Sequence, residues 1–312
     1  HTLAITTSGE LFAWGLGTTG RSGLGSQTTH SSPVQVGALT NWSQVSAGSD
    51  NTVAIKNDGT LWGWGSNYYG QVGDNTRTDR SSPVQLGSDN WSDITAGNKF
   101  IAGITTSGEL YAWGQNNLGQ LGDTSIISRS SPTQVGALTN WSQVSAGQSH
   151  CLAVKTDGTM WAWGQNNNGR LGLNDLTVRS SPTQIGALTT WSQVSAGAAE
   201  SVAVTTSGEM YTWGSAGSGQ LGHNNTTNTS SPVQVGALTT WSQVIAGDTF
   251  CSAIKDDGTL WTWGLGSFGR TGQDTTSNSS SPVQIGSLTS WSKISGISAH
   301  MGAISSSRTG MS

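Results

Sequence analysis

Short runs of alternating apolar and polar positions fill this chain, and they return in a fixed order. From Trp141 to Thr190 the order begins with WSQVSAG, which alternates until it closes on Ala-Gly, and HCLAVK, a short apolar run. Thr156-Asp157-Gly158, TMWAWG, a loop rich in Gly and Asn, and Ser180-Ser181-Pro182 running into TQIG complete it. Alternation at period two predicts strands with one buried face, and Asp-Gly between two such runs predicts a tight hairpin turn. Proline has no N–H to give to a ladder, so PTQI is expected at a sheet edge. WSQVSAG, whose small end suits close approach to another backbone, is expected at the opposite, inner edge. The unit predicts four strands and no helix.

The unit repeats. Its third strand reads ELFAWG, TLWGWG, ELYAWG, TMWAWG, EMYTWG and TLWTWG, and the last tryptophan falls at Trp14, Trp64, Trp113, Trp163, Trp213 and Trp263, spaced by 49 or 50 residues. All six prolines, Pro33, Pro83, Pro132, Pro182, Pro232 and Pro282, share one position of the unit. A unit of about 50 residues cannot bury its own apolar face and must stack on its neighbours, as in propellers and solenoids. A single domain over residues 1–312 is expected, of six full repeats plus a partial terminal repeat. The WG tryptophans and those opening the inner strand (Trp42, Trp91, Trp141, Trp191, Trp241, Trp291) are expected to fill the space between sheets. Leu39, Leu138, Leu188, Leu238 and Leu288 are expected to plug the entry to that strand; the second repeat, shorter between Gly87 and Trp91, lacks this leucine and should pack least well there. Cys151 and Cys251 stand at one position two repeats apart. Sheets pack about 10 Å apart and a disulfide needs Cα atoms within about 7 Å, so both are expected as free thiols.

A finer pattern alternates between repeats. TTSGE pairs with Phe12, Tyr111 and Tyr211, whereas KNDGT, KTDGT and KDDGT pair with Trp62, Trp161 and Trp261, as if a unit of two repeats had duplicated.

With WG, the G-Q-L-G segments at Gly119–Gly122 and Gly219–Gly222, the rim proline, the Ala-Gly end and then His-Cys-Leu-Ala-Val, the repeat resembles the regulator of chromosome condensation repeat family over essentially the whole chain. The resemblance implies an all-β propeller of four-stranded blades, usually seven. Seven blades with an incomplete terminal blade are therefore expected, and six is the alternative, because the chain opens on a second strand (His1 to Thr6) and repeats an inner and a second strand from Trp291 and His300. The last unit departs from pattern, with Gly296-Ile297 in place of Ala-Gly and SSRTGMS where a turn should begin. The family includes a nuclear exchange factor for a small GTPase and is similar in fold to propellers that inhibit β-lactamases.

Composition narrows the function classes. Charged residues are 10% of the chain and the net charge is -4, which gives no basic stripe for nucleic acid. No run of about 18 apolar residues is present, so membrane insertion is not expected. Few lysines and much Ser, Thr and Asn point to an exposed setting, extracellular or on a virion or cell surface. GLGTTG at Gly15 and GLGSFG at Gly264 match a dinucleotide fingerprint literally, but no helix pattern follows to aim at a phosphate, so the glycines read as turn residues. Asn41, Asn90 and Asn140 begin formal glycosylation motifs yet precede a buried strand, and read as turn residues too. The five histidines do not converge as zinc ligands, and Asp58, Asp157 and Asp257 are one hairpin carboxylate per repeat rather than an acid/base pair. No catalytic residue, metal or cofactor is expected.

Variation inside the repeat is more informative. Framework positions barely change, whereas two loop positions change in every copy: the residues before the loop glycine (Tyr68, Tyr69, Leu118, Phe268) and those just after Ala-Gly (Asp50, Lys99, Phe100, His150, Glu200, Phe250). Both sets follow strands that run in the same direction and should emerge on one face, where exposed aromatics are hot-spot candidates. Phe100 and Phe250 have an alternative, packing inward as part of the second strand. The resemblance to the inhibitor propellers points to the same positions. The expected function is a non-catalytic recognition or adhesion propeller for a protein or glycan. An enzyme inhibitor is one alternative; a GTPase exchange factor is the other, opposed by uniform repeat spacing that leaves no room for an inserted wedge.

Overall fold

A computed structural model describes residues 1–297 and 300–306 of the chain. The fold is an all-β propeller built of antiparallel sheets whose strands are laid side by side in chain order. Helix among the described residues is limited to two single 3-10 turns, Thr18–Gly20 and Ser267–Gly269. In the second sheet the strands are Trp42–Ala47, Asn51–Lys56, Leu61–Gly65 and Arg80–Leu86, and in the third Trp91–Ala96, Phe100–Thr105, Leu110–Gly114 and Arg129–Gln134. The fifth (Trp191–Ala196, Glu200–Thr205, Met210–Gly214, Thr229–Gln234) and sixth (Trp241–Ala246, Phe250–Lys255, Leu260–Gly264, Ser279–Gln284) repeat the scheme. WSQVSA lies at one edge and the proline strand at the other, as the missing proline N–H requires.

Seven blades are not supported. Five sheets are four-stranded; the first has three strands (Thr2–Ile5, Leu11–Gly15, His30–Gln35), and the last is the hairpin of Trp291–Ile297 with His300–Ser305. The count that fits is six, the alternative: five four-stranded sheets and the three-stranded first sheet. The six WG strands and six proline strands fall one of each to a sheet, and among the described residues the hairpin of Trp291–Ile297 and His300–Ser305 pairs with neither. The fading turn read in SSRTGMS lies, beyond Ser306, outside the described residues.

Two compact units are distinguished, one of His1–Thr156, Trp163–Gln165 and Val178–Thr183, the other of Asp157–Ala162, Asn166–Thr177 and Gln184–Ser312. Within the first, the WSQVSA strands of neighbouring sheets are tied by side chains: Ala96 N–H donates to Ser46 Oγ at 2.9 Å and Ala146 N–H to Thr95 Oγ1 at 3.0 Å. Asp93 links three sheets, accepting from Gln44 Nε2 at 2.9 Å and from Val144 N–H at 3.1 Å. The same device recurs in the second unit, where Ala246 N–H donates to Ser195 Oγ and Val244 N–H to Gln193 Oε1, both at 3.0 Å.

The indoles occupy the space between sheets. Trp64, Trp113, Trp163, Trp213 and Trp263 are fully buried, and Trp91 meets Trp113 edge-on with ring centroids 5.8 Å apart. Each apolar side chain of this size contributes about 1.5 to 3 kcal/mol on burial. The leucine plug is a correction: Leu39, Leu138, Leu188, Leu238 and Leu288 are all roughly half exposed. The last residue of the rim segment fills the place instead, as Val36, Leu86, Val135, Ile185 and Val235 are buried. The shortened second repeat keeps this residue, and beside its connection a recess of 380 Å³ opens between Lys56, Asp58, Asn90 and Trp91. Cys151 and Cys251 are buried free thiols, each with its pKa pushed up by burial.

Candidate recognition loops

The loop after the third strand is stiffened by one asparagine. In the second sheet Asn67 donates through Nδ2 to Asp74 Oδ1 at 3.1 Å and to Thr78 O at 3.0 Å, and its Oδ1 accepts Val72 N–H at 2.9 Å. Asp74 is in turn held by Arg80 Nε at 2.6 Å. Burial raises the Asp74 pKa, but the Thr76 hydroxyl and Arg80 outweigh it and hold the carboxyl below its usual range. Asn116, Asp123 and Arg129 repeat the arrangement in the third sheet. The polar stretch before the rim strand is thus a braced loop. The sequence signal for it is an asparagine two residues beyond WG and an aspartate seven further on (Asn67 and Asp74, Asn116 and Asp123).

On this frame the first unit carries Tyr68 and Tyr69. Tyr68 is 70% exposed and meets the half-buried Tyr69 edge-on, 4.8 Å between centroids. Tyr69 N–H donates to Gln71 Oε1 at 2.9 Å, which fixes the backbone under both rings. Lys99, from the turn of the next sheet, places Nζ 5.3 Å from the Tyr69 centroid, within cation–π range. Asp50 is engaged with Arg21 at 2.6 Å, and Arg21 Nη1 also donates to Ser49 O. Leu118 is half-buried, its N–H given to Gln120 Oε1. The two variable loop sets therefore meet at one end of the strands in this unit, as the strand directions require.

In the second unit Phe268 stands 90% exposed on a 3-10 turn at φ 62°, a left-handed conformation uncommon for a bulky residue, with the Arg270 guanidinium 5.8 Å from its ring. The GLGTTG and GLGSFG loops each make one such turn and no longer helix, so they lack the helix N-terminus that a dinucleotide site needs.

Four sequence candidates are removed from the surface. Phe100, His150, Glu200 and Phe250 are fully buried, because the residue that opens the second strand turns its side chain under the Ala-Gly turn. The turn glycines make the room: a Cβ on Gly97 would meet the Phe100 ring and one on Gly247 the Phe250 ring. For the two phenylalanines the inward alternative holds. No group of three His, Cys, Asp or Glu side chains converges among the described residues.

Residues 1–242 match the model of the RCC1-like domain, and residues 257–304 that of the regulator of chromosome condensation (RCC1) repeat. The chain belongs to the RCC1-like domain family. Among solved structures it is similar to human WBSCR16, with a TM-score of 0.88 at 20% identity over 98% of this chain and 84% of that one. It is similar also to yeast RCC1 (Prp20) bound to Kap60, with a TM-score of 0.84 at 18% identity over 98% and 78% of the two chains. A structure of Prp20p from Saccharomyces cerevisiae gives a TM-score of 0.62 at 17% identity over 98% and 94%. At such identities the likeness is one of fold.

Proposed function

We propose that this chain is a non-catalytic recognition propeller that binds a protein partner through the loops carrying Tyr68, Tyr69 and Lys99. The observation that supports this reading is the edge-on tyrosine pair, one ring largely in solvent, set on a loop braced from within by Asn67. Rigid aromatics lose little entropy on contact, which is why they dominate interface energetics. Fold relatives support a binding or regulatory role: one was solved on Kap60, and Prp20p was described together with its binding to Gsp1p and histones.

The test measures binding of the wild type, of Tyr68→Ala/Tyr69→Ala and of Arg77→Ala to small GTPases, histones, β-lactamases and a glycan array. Arg77 is exposed on the same loop outside the bracing; Asp74 would be a poor control, because it holds Arg80. The tyrosine variant is expected to lose about 30-fold or more in affinity for a protein partner, the equivalent of about 2 kcal/mol, while Arg77→Ala keeps it. Binding to glycans alone, or loss in the Arg77 variant with the tyrosines dispensable, overturns the reading.

A further inference from the structure

The position that opens the second strand holds Asn51, Phe100, His150, Glu200 and Phe250 in the second to sixth sheets, every one of them buried. Glu200 is the exception in chemistry, a carboxyl at 0% exposure where two other repeats place a phenyl ring. Its Oε2 accepts Ala199 N–H at 3.2 Å, and its Oε1 has no hydrogen-bond donor. A fully buried carboxylate with one oxygen unanswered is costlier than the neutral acid, so burial favours keeping the proton.

The surroundings suit the acid. The charged and titratable groups that face Glu200 are Arg170 from the preceding loop, Asp248 from the next turn and the buried Cys251 thiol from the next sheet. Arg170 is committed elsewhere as well, with Nη1 on Ala198 O at 2.7 Å and Nη2 on Asn168 Oδ1 at 2.9 Å. Ala198 N–H donates to Gly247 O at 3.1 Å. The Gly197–Ala199 turn is thus held by Arg170 at the Ala198 carbonyl, by Gly247 at the Ala198 amide and by the Glu200 carboxyl at the Ala199 amide, besides the backbone bonds of Gly197 N–H to Glu200 O and of Ser215 N–H to Ala199 O.

We propose that Glu200 is carried as the neutral acid and serves as a proton-operated latch on the Gly197–Ala199 turn. When Glu200 loses its proton, Oε1 becomes a buried anion next to Asp248, and the donor able to answer it is the Arg170 guanidinium. Arg170 then leaves the Ala198 carbonyl for the carboxylate, and the turn loses its side-chain tie at that carbonyl. Burial, with Asp248 adding to it, pushes the Glu200 pKa up to about 8, against the opposing pull of Ala199 N–H and Arg170. The latch therefore opens at mildly alkaline pH. Because the folded pKa is raised, the unfolded chain ionises first, so stability falls from about pH 5 to about pH 8 and levels off above it.

Two measurements on the whole chain test this. Thermal unfolding from pH 5 to 9 is expected to show a falling melting temperature in wild type, and a flatter profile in Glu200→Gln and in Glu200→Phe, the residue found in two other repeats. Amide hydrogen exchange at Ala198 and Ala199, corrected for intrinsic pH dependence, is expected to speed up near pH 8 in wild type alone. If Glu200→Gln fails to fold, infrared difference spectra of wild type decide the matter. A protonated-carboxyl band at pH 6 that vanishes by pH 9 supports the latch. Absence of that band at pH 6, or wild-type pH dependence retained in either variant, overturns it.

Discussion

At the residue scale, the alternation between repeats resolves into two self-contained packages. In one, Asp58 Oδ1 accepts the Thr60 amide and hydroxyl, Thr60 Oγ1 accepts Trp62 Nε1–H, and Lys56 Nζ lies 3.6 Å from the Trp62 centroid. In the other, Thr105 and Ser107 hydroxyls both reach Glu109 Oε2 beside Tyr111. Each package satisfies its own polar groups, so the residues co-vary from repeat to repeat. The covariation was legible in the sequence; the contacts behind it were not, because they join a turn to a ring through geometry. Two predictions belong here. Trp163→Ala removes a fully buried indole that donates to Gln120 O at 3.0 Å and should cost about 3 to 5 kcal/mol, whereas Asn167→Ala on the exposed loop should cost under about 0.5. Chemical denaturation of both variants reads the difference. Asp93 stands where other repeats have Gln143, Gln193 and Gln243, and burial raises its pKa although Gln44 and Val144 donate to it. A carboxyl with a raised folded pKa favours folding in its neutral form, so its cost is largest at neutral pH and fades in acid. Asp93→Gln is expected to raise the melting temperature at pH 7 and to leave it nearly unchanged at pH 3.

At the element scale, the G-Q-L-G segment acquires a reason. The residue after its first glycine offers a carbonyl to the indole of the next repeat, as Gln120 O does for Trp163, Arg170 O for Trp213 and Gln220 O for Trp263. The second glycine lies flat against that indole. A Cβ on Gly122, which sits at φ 73°, would come within 2.7 Å of Trp163 Nε1, whereas one on Gly136, at φ 68°, would meet nothing within 4 Å. Both substitutions by alanine carry the left-handed penalty of about 1 to 2 kcal/mol, and only Gly122→Ala adds a clash with a ring that cannot move. Urea unfolding should find Gly122→Ala the more destabilising by at least about 1 kcal/mol; equal costs would mean that the indole yields. Strand order and edge placement were readable from proline and from period two, since both are backbone rules. The buried plug was misread, because a leucine in a turn and a valine at a strand end look alike in hydropathy, and only the strand's register decides which of them points inward.

At the scale of the whole molecule, the repeat spacing disclosed the propeller, and the blade count went astray because the resemblance carried an expectation of seven that the strands after Trp291 do not meet. The candidate loops were only partly legible. Variability marked Tyr68, Tyr69 and Phe268, which are exposed or half-exposed, but it also marked the position that opens the second strand, where Phe100 and Glu200 are fully buried. Variation among repeats signals freedom from the shared frame, and that freedom exists inside the protein as well as on its surface. Charge yields the last prediction. With 13 Lys and Arg against 17 Asp and Glu, the chain is acidic in total, and several of its cations are already engaged, Arg21 with Asp50, Arg80 with Asp74 and Arg129 with Asp123. Binding to duplex DNA depends on releasing counterions from phosphates, with an affinity that falls steeply as salt rises. Duplex DNA is therefore expected not to be retained even at about 50 mM salt, where such contacts are strongest. Binding of a protein partner through Tyr68 and Tyr69 should instead change little between 50 and 200 mM, about the range over which a protein making many phosphate contacts loses several orders of magnitude. A gel-shift titration of DNA and an affinity measurement at two salt concentrations check both halves. Tight DNA binding with a steep salt slope would mean that a basic surface assembled from scattered lysines and arginines outweighs the acidic total, and that the tyrosine loops are not where this propeller makes its main contact.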